Sequence, residues 1–103
     1  MLEVWLKEIG LVRVKSLKEI SFGKEFHRTD GPAVVNEEEG SFIWIQNNKF
    51  HREDGPAMLD YAGHLSWYLD DCKMTQLEHF YKSPYFQNLS PAQRVLERLK
   101  IVG

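Results

Sequence analysis

Four side chains of this sequence are best suited to chemistry: His27, Asp30, His51 and Asp54. They fall into two pairs spaced three residues apart, each with an arginine next to the histidine, Arg28 or Arg52. A histidine and an aspartate at that spacing can hold a divalent metal, or act as a general base with an orienting carboxylate. Zinc requires several donors at about 2.0–2.2 Å from one ion, and neither pair has a third donor nearby. Equivalent residues of stacked hairpins stand roughly 10–15 Å apart, because neighbouring strands are ~4.8 Å apart. One ion therefore cannot join the two pairs. The sequence has no phosphate-cradling glycine loop, nucleophile elbow or zinc-type cysteine pattern. Cys72 is the one cysteine and has no evident activating base. The residues predict no catalytic group, no metal and no cofactor.

The neighbours of these residues explain why. Residues 26–33 read FHRTDGPA and residues 50–57 read FHREDGPA, identical at seven of eight positions and offset by 24. A reacting site is normally built once, whereas a segment copied at fixed spacing builds scaffold. His27, Arg28, Asp30, Gly31 and Pro32 are thus read as a structural motif, as are His51, Arg52, Asp54, Gly55 and Pro56. In Asp-Gly-Pro the carboxylate can accept from amides just downstream. The glycine permits an extended or positive-φ geometry that a Cβ would obstruct, and the proline fixes φ and donates no hydrogen bond. Arg28 with Asp54, or Arg52 with Asp30, would join one repeat to the next.

The elements that must carry the motif read as strands. Short runs rich in Val, Ile, Phe, Trp and Tyr alternate with turn residues, notably Asn47-Asn48 and Asp70-Asp71. The tryptophans Trp44 and Trp67 are 23 apart and the lysines Lys49 and Lys73 are 24 apart. That spacing predicts one residue lost in the glycine-containing turn and one regained at Asp70–Lys73. Period-2 alternation places Phe42, Trp44, Leu65 and Trp67 on a core face, and Ile43, Ile45, Ser66 and Tyr68 on a mixed outer face. Upstream, Leu2, Val4 and Leu6, then Val12 and Val14, alternate as a strand pair with Gly10 in the turn. Residues 20–27 align with 44–51 as a degenerate copy. After Lys73 the pattern becomes helical: Thr75–Glu78 is a capping box before Leu77, Phe80 and Tyr81. Pro84 ends that helix. Ser90-Pro91 opens another, with Val95, Leu96, Leu99 and Val102 at helical spacing. The expected fold is mainly β with a helical end (α+β). It is one domain over 1–103: N-terminal strands in 1–22, two repeats in 23–74 and a helical cap in 75–103.

Composition narrows the partners. The net charge is −2 over 103 residues, without the basic footprint that duplex nucleic acid demands. A lone cysteine excludes an internal disulfide and fits a reducing cytoplasm. The N-terminal MLEVWLKEIG carries charges that a secretory signal core lacks. No apolar run reaches the roughly 20 residues of a membrane helix.

The pattern of Gly, a short gap, Trp-[Ile/Tyr], a turn, and Lys-x-His-Arg-x-Asp-Gly-Pro-Ala resembles the MORN-variant repeats of small phage and bacterial proteins. The likeness covers about residues 20–80. It departs from the pattern at Asn48 and Asp71, where glycine is common, and in losing His-Arg after Lys73. The resemblance implies stacked hairpins used for binding, and some bacterial members are labelled antitoxins. It implies a stoichiometric inhibitor or antitoxin-like protein acting on another protein, a host or cognate enzyme, in a phage and host-defence setting. A nucleic-acid binder using exposed aromatics and the His/Arg pairs is the alternative. Homo-oligomers could form through free sheet edges. Because the repeated residues are scaffold, partner binding is assigned to non-repeated apolar ones: Ile43, Ile45 and Tyr68 on the outer strand face, and Tyr81, Tyr85 and Phe86 around Pro84. If the helices simply cover the sheet, these two groups bury one another.

Overall fold

The computed structural model describes residues 1–102; Gly103 and the side chain of Val102 lie outside the description. Among the described residues nine strands, with a one-turn 3-10 helix at Leu17–Glu19, precede three α-helices: β1 Leu2–Leu6, β2 Gly10–Val14, β3 Val34–Asn36, β4 Ser41–Ile43, β5 Ile45–Gln46, β6 Lys49–Phe50, β7 Met58–Leu59, β8 Leu65–Leu69, β9 Cys72–Met74, α1 Gln76–Lys82, α2 Pro84–Gln87 and α3 Pro91–Val102. The fold is mainly antiparallel β with a helical C-terminal end. Seven strands form one sheet in the order β2-β1-β3-β4-β7-β8-β9, and β5 and β6 form a small second one.

Each repeat strand changes partner midway. Val34–Asn36 pairs with Ser41–Ile43, and Phe42 and Ile43 also pair with Leu59 and Met58. Beyond Trp44 the chain turns to its own hairpin, Ile45 opposite Phe50 and Gln46 opposite Lys49. In β8 the same switch falls at Trp67, where Ser66 faces Met58 and Trp67 faces Met74. The hairpins close through Asn47-Asn48 (φ 50° and 63°) and Asp70-Asp71 (φ 46° and 67°), left-handed pairs that match strand twist. Both turns hold two residues, so nothing is regained at Asp70–Lys73. The residue missing from the glycine turn stays missing, and Cys72, not Lys73, takes the place of Lys49.

The first repeat is also complete, but its tryptophan is Trp5. Trp5 N–H donates to Ala33 O at 2.7 Å as Trp44 N–H donates to Ala57 O at 2.6 Å. His27 N–H donates to Trp5 O at 3.0 Å as His51 N–H donates to Trp44 O at 3.1 Å. Leu6 bridges Phe26, the counterpart of Ile45 with Phe50. Residues 8–24, including β2, are therefore an insertion where the next repeat has a two-residue turn. The alignment of 20–27 with 44–51 fails for Ile20, because an insertion hides the true partner from any search at fixed spacing.

Two clusters make the sheet's core. Val4, Leu6 and Val14 form one, and Ala33, Val34 and Ile45 the other, with Ile43, Phe26, Phe50 and Trp5 packed on it. Burying each large aliphatic contributes about 1.5–3 kcal/mol. Ile43 and Ile45 thus lie on the core side, contrary to the face assignment from alternation. Trp44 and Trp67 are only half-buried. An arginine covers the tryptophan face of Trp44, which frees the β-branched residues to pack inward against Ala33.

At the C-terminal end the helix signals operate as the sequence predicts. Thr75 and Glu78 complete the capping box, Ser83 caps α1, and Pro84 becomes the first residue of α2. α1 lies against β8, and α3 packs against α1.

Candidate functional site

The repeated motif folds back on itself. Arg28 Nε donates to Asp30 Oδ1 at 3.0 Å and Arg28 Nη1 to Pro32 O at 3.2 Å, and the guanidinium lies 4.1 Å from the centre of the Trp5 ring. Arg52 repeats this with Asp54 at 2.9 Å, Pro56 O at 3.1 Å and Trp44 at 4.0 Å. The expected pairs Arg28–Asp54 and Arg52–Asp30 do not form, because the Asp two residues on is already within reach. The hydrogen bond from Arg28, then the Asp30 backbone, hold the Asp30 carboxyl below its ordinary range. Gly31 and Gly55 do not have positive φ. Their role is clearance: a Cβ would lie 2.6 Å from Arg28 Cζ or 2.9 Å from Arg52 Cζ.

The histidines pin the turn of the following hairpin. His27 Nδ1 accepts from Asn47 N–H at 2.9 Å, and His51 Nδ1 from Asp70 N–H at 3.1 Å. That leaves the proton of His51 on Nε2, 3.4 Å from Glu53 Oε2. The turns answer through side chains: Asn48 Oδ1 accepts from Phe26 N–H at 3.2 Å, and Asp71 Oδ1 from Phe50 N–H at 2.7 Å. The Arg28 and Arg52 amides donate to Ile45 O and Tyr68 O of the next hairpin. The histidines and the Arg28 and Arg52 amides thus stack one repeat on the next, while the guanidiniums close each motif on itself. No three His, Cys, Asp or Glu residues are grouped to hold a metal ion among the described residues.

Two polar residues that sequence reasoning passed over complete this scaffold. His79, 1 % exposed, donates from Nε2 to Arg52 O at 2.6 Å, and Ser83, fully buried, donates from Oγ to Glu53 O at 2.6 Å. Being four apart on α1, they share a face and dock the helix on the second motif. Burial pushes the His79 imidazole below its ordinary pKa. Their spacing beside Phe80 was the available signal, masked by the charged residues around them.

The residues assigned to partner binding divide. Ile45 is 6 % and Phe86 9 % exposed, so both sit inside the folded chain, Ile45 on Ala33 and Val34 and Phe86 against Phe80 and His79. Ile43 and Tyr68 are half-buried, with Tyr68 edge-on to Phe50 at 5.2 Å. Tyr81 and Tyr85 are open, at 49 % and 45 %. They flank three further exposed side chains on α3, namely Val95, Leu96 and Leu99 at 60 %, 60 % and 55 %. Tyr81 shares a groove of about 410 Å³ with Val95 and Leu99, and Tyr85 shares one of about 490 Å³ with Leu96 and Leu99. Val95, Leu96 and Leu99, which follow one another at helical spacing, are turned outward on α3. In comparisons with known proteins, no family model matches this chain, and neither a curated protein nor a solved structure resembles it significantly.

Proposed function

We propose that this chain is a non-enzymatic protein-binding module that acts stoichiometrically, as a small inhibitor or antitoxin-like protein, with its contact surface at the helical end. The observation that carries this reading is the continuous apolar patch of Tyr81, Val95, Leu99, Leu96 and Tyr85. Contiguous exposed apolar surface marks interaction sites, and tyrosines are favoured anchors within them. The internal engagement of the motif supports the same view. His27, Arg28, His51 and Arg52 are committed to the fold, which weighs against both a His/Asp hydrolase and a nucleic-acid binder built on the His/Arg pairs. The likeness to MORN-variant repeats adds a bacterial or phage setting and a host or cognate enzyme as target.

The test is affinity capture of the tagged chain from bacterial lysate, identification of the partner and titration calorimetry with it. The expected stoichiometry is one to one. Tyr85→Ala and Leu96→Ala should each weaken binding by on the order of 2 kcal/mol without lowering the melting temperature. Full affinity in both variants would move the contact surface elsewhere.

A further inference from the structure

α3 is seated back to front. Two arginines lay it on α1: the guanidiniums lie 5.9 Å from the Phe80 ring and 5.8 Å from the Tyr81 ring, and Arg98 Nε donates to Tyr81 OH at 2.9 Å. Arg94, Glu97, Arg98 and Ile101 are half-buried, while Val95, Leu96 and Leu99 face outward. An amphipathic helix ordinarily turns its apolar stripe to the core. Twelve residues are also too few for a helix to hold itself by propensity alone. A helix laid down on its basic side, with its apolar side free, is shaped to receive something.

The charges around the stripe say what. At 3.6 residues per turn, Arg98 borders the Val95–Leu99 stripe on one side and Lys100 borders it beyond Leu96 on the other. Glu97 already accepts from Lys100 at 2.9 Å. Arg94 lines the groove between α1 and α3, and its buried Nε has no hydrogen-bond partner among the described residues. A second copy would bring the same cations against one another. An anionic bilayer is planar and would lie across the stripe without entering the groove between α1 and α3. Resting on the protein-binding reading above, we propose that the stripe docks an amphipathic helix of a partner protein whose apolar face is bordered by aspartates or glutamates. That helix lies in the groove lined by Phe80, Tyr81, Val95 and Leu99, with its carboxylates toward Arg94 and Arg98, which line the same groove. This is helix-in-groove recognition with charge setting the choice of partner.

The experiment uses the full chain and two synthetic helical peptides with the same leucine stripe, one bordered by glutamates and the other by lysines. Fluorescence anisotropy should show the glutamate peptide binding at least ~10-fold tighter, with the advantage shrinking as salt rises. Leu99→Asp should abolish binding, and Arg98→Glu combined with Lys100→Glu should reverse the preference. Leu99 is more than half exposed, so its variant should keep the wild-type melting curve; if it does not, Val95→Ser serves in its place. Equal affinity for the two peptides, or none for either, would overturn the proposal. So would a dimer in sedimentation equilibrium that Leu99→Asp dissolves, or comparable binding to phosphatidylserine vesicles. A natural partner held at full affinity by Leu96→Asp and Leu99→Asp would leave the binding module standing and remove this docking mode.

Discussion

Replacing Gly55 by alanine should destabilise the protein, and removing Arg52 as well should reverse the sign of that effect. A Cβ at 55 would lie 2.9 Å from Arg52 Cζ and 3.2 Å from Nε and Nη1. Those atoms end a flexible side chain, so the guanidinium can swing away instead of forcing the backbone. What is lost is its set of contacts. The stack on Trp44 at 4.0 Å, for a side chain 22 % exposed, is worth about 1 kcal/mol. The bond to Pro56 O at 3.1 Å adds about 1 kcal/mol, and the half-exposed pair with Asp54 adds at most ~0.5 kcal/mol. Against this, Gly→Ala at a φ that alanine tolerates reduces unfolded-state entropy and stabilises by about 0.4–1 kcal/mol. Gly55→Ala should therefore cost about 1–2 kcal/mol. In an Arg52→Ala background only the entropic gain remains, so the same substitution should stabilise by about 0.4–1 kcal/mol. Urea denaturation of the four proteins, followed by tryptophan fluorescence and far-ultraviolet circular dichroism, measures the cycle. Equal destabilisation by Gly55→Ala in both backgrounds would show that the backbone, and not guanidinium clearance, demands glycine.

Further expectations concern the turns, the docked helix and the first repeat. Asp71→Ala removes the acceptor for Phe50 N–H and places alanine at φ 67°; it should cost about 1–2 kcal/mol, while Asp71→Asn, which keeps an acceptor and tolerates that φ, stays near neutral. Similar losses for both would discount the turn bond. His79 has its pKa lowered by burial, so the folded state favours the neutral ring. Its contribution is complete above the ordinary histidine pKa of about 6.5 and fades as pH falls through the depressed value. Thermal melts should show a decline in stability below about pH 6.5 that is smaller in His79→Gln; an unchanged slope would refute the assignment. Trp5→Ala should destabilise as much as Trp44→Ala, within about 0.5 kcal/mol, because each carries one arginine stack; a negligible effect at Trp5 would break the equivalence of the first and second repeats.

Part of this architecture was legible because its chemistry is local. The left-handed turns at Asn47-Asn48 and Asp70-Asp71, the Thr75–Glu78 box and the Ser90-Pro91 start depend on neighbours within four residues. What stayed hidden depends on distance or on insertion. Trp5 and Arg28 meet across an insertion that fixed-period comparison cannot bridge. His79 and Ser83 gain meaning only beside carbonyls nearly thirty positions away. Alternation correctly placed Ile43 and Ile45 on one face. It could not rank the faces, because arginine's stem and guanidinium can cover an aromatic as a core would. For the binding surface, Tyr81 and Tyr85 were readable as non-repeated aromatics. The outward turn of α3 was not, since the same spacing suits burial and display alike.

The two ends of the array are finished by different means, and the difference bears on the proposed interaction surface. A repeat stack leaves an unpaired strand at each end, which invites pairing with another chain. At the N-terminal end the insertion supplies β2, which covers β1 from Leu2 to Leu6 and brings Val14 into the core. The new edge carries the exposed Arg13, paired with Glu3 at 3.2 Å. At the C-terminal end β9 is three residues long, with Lys73 at its centre. Short, charged edges are poor templates for a further strand, so edge-to-edge assembly is the weaker route to a partner. The chain then leaves the sheet altogether: where a third motif would begin, the Thr75 cap starts α1, and His79 and Ser83 tie it to the carbonyls of the second motif. Docking by buried hydrogen bonds holds α1 rigidly, and α3 leans on α1 through two arginines. The apolar stripe of α3 is thus carried on a fixed support without being consumed by it. A surface presented in that way loses little conformational entropy when it is covered, which is the property a small stoichiometric binder needs.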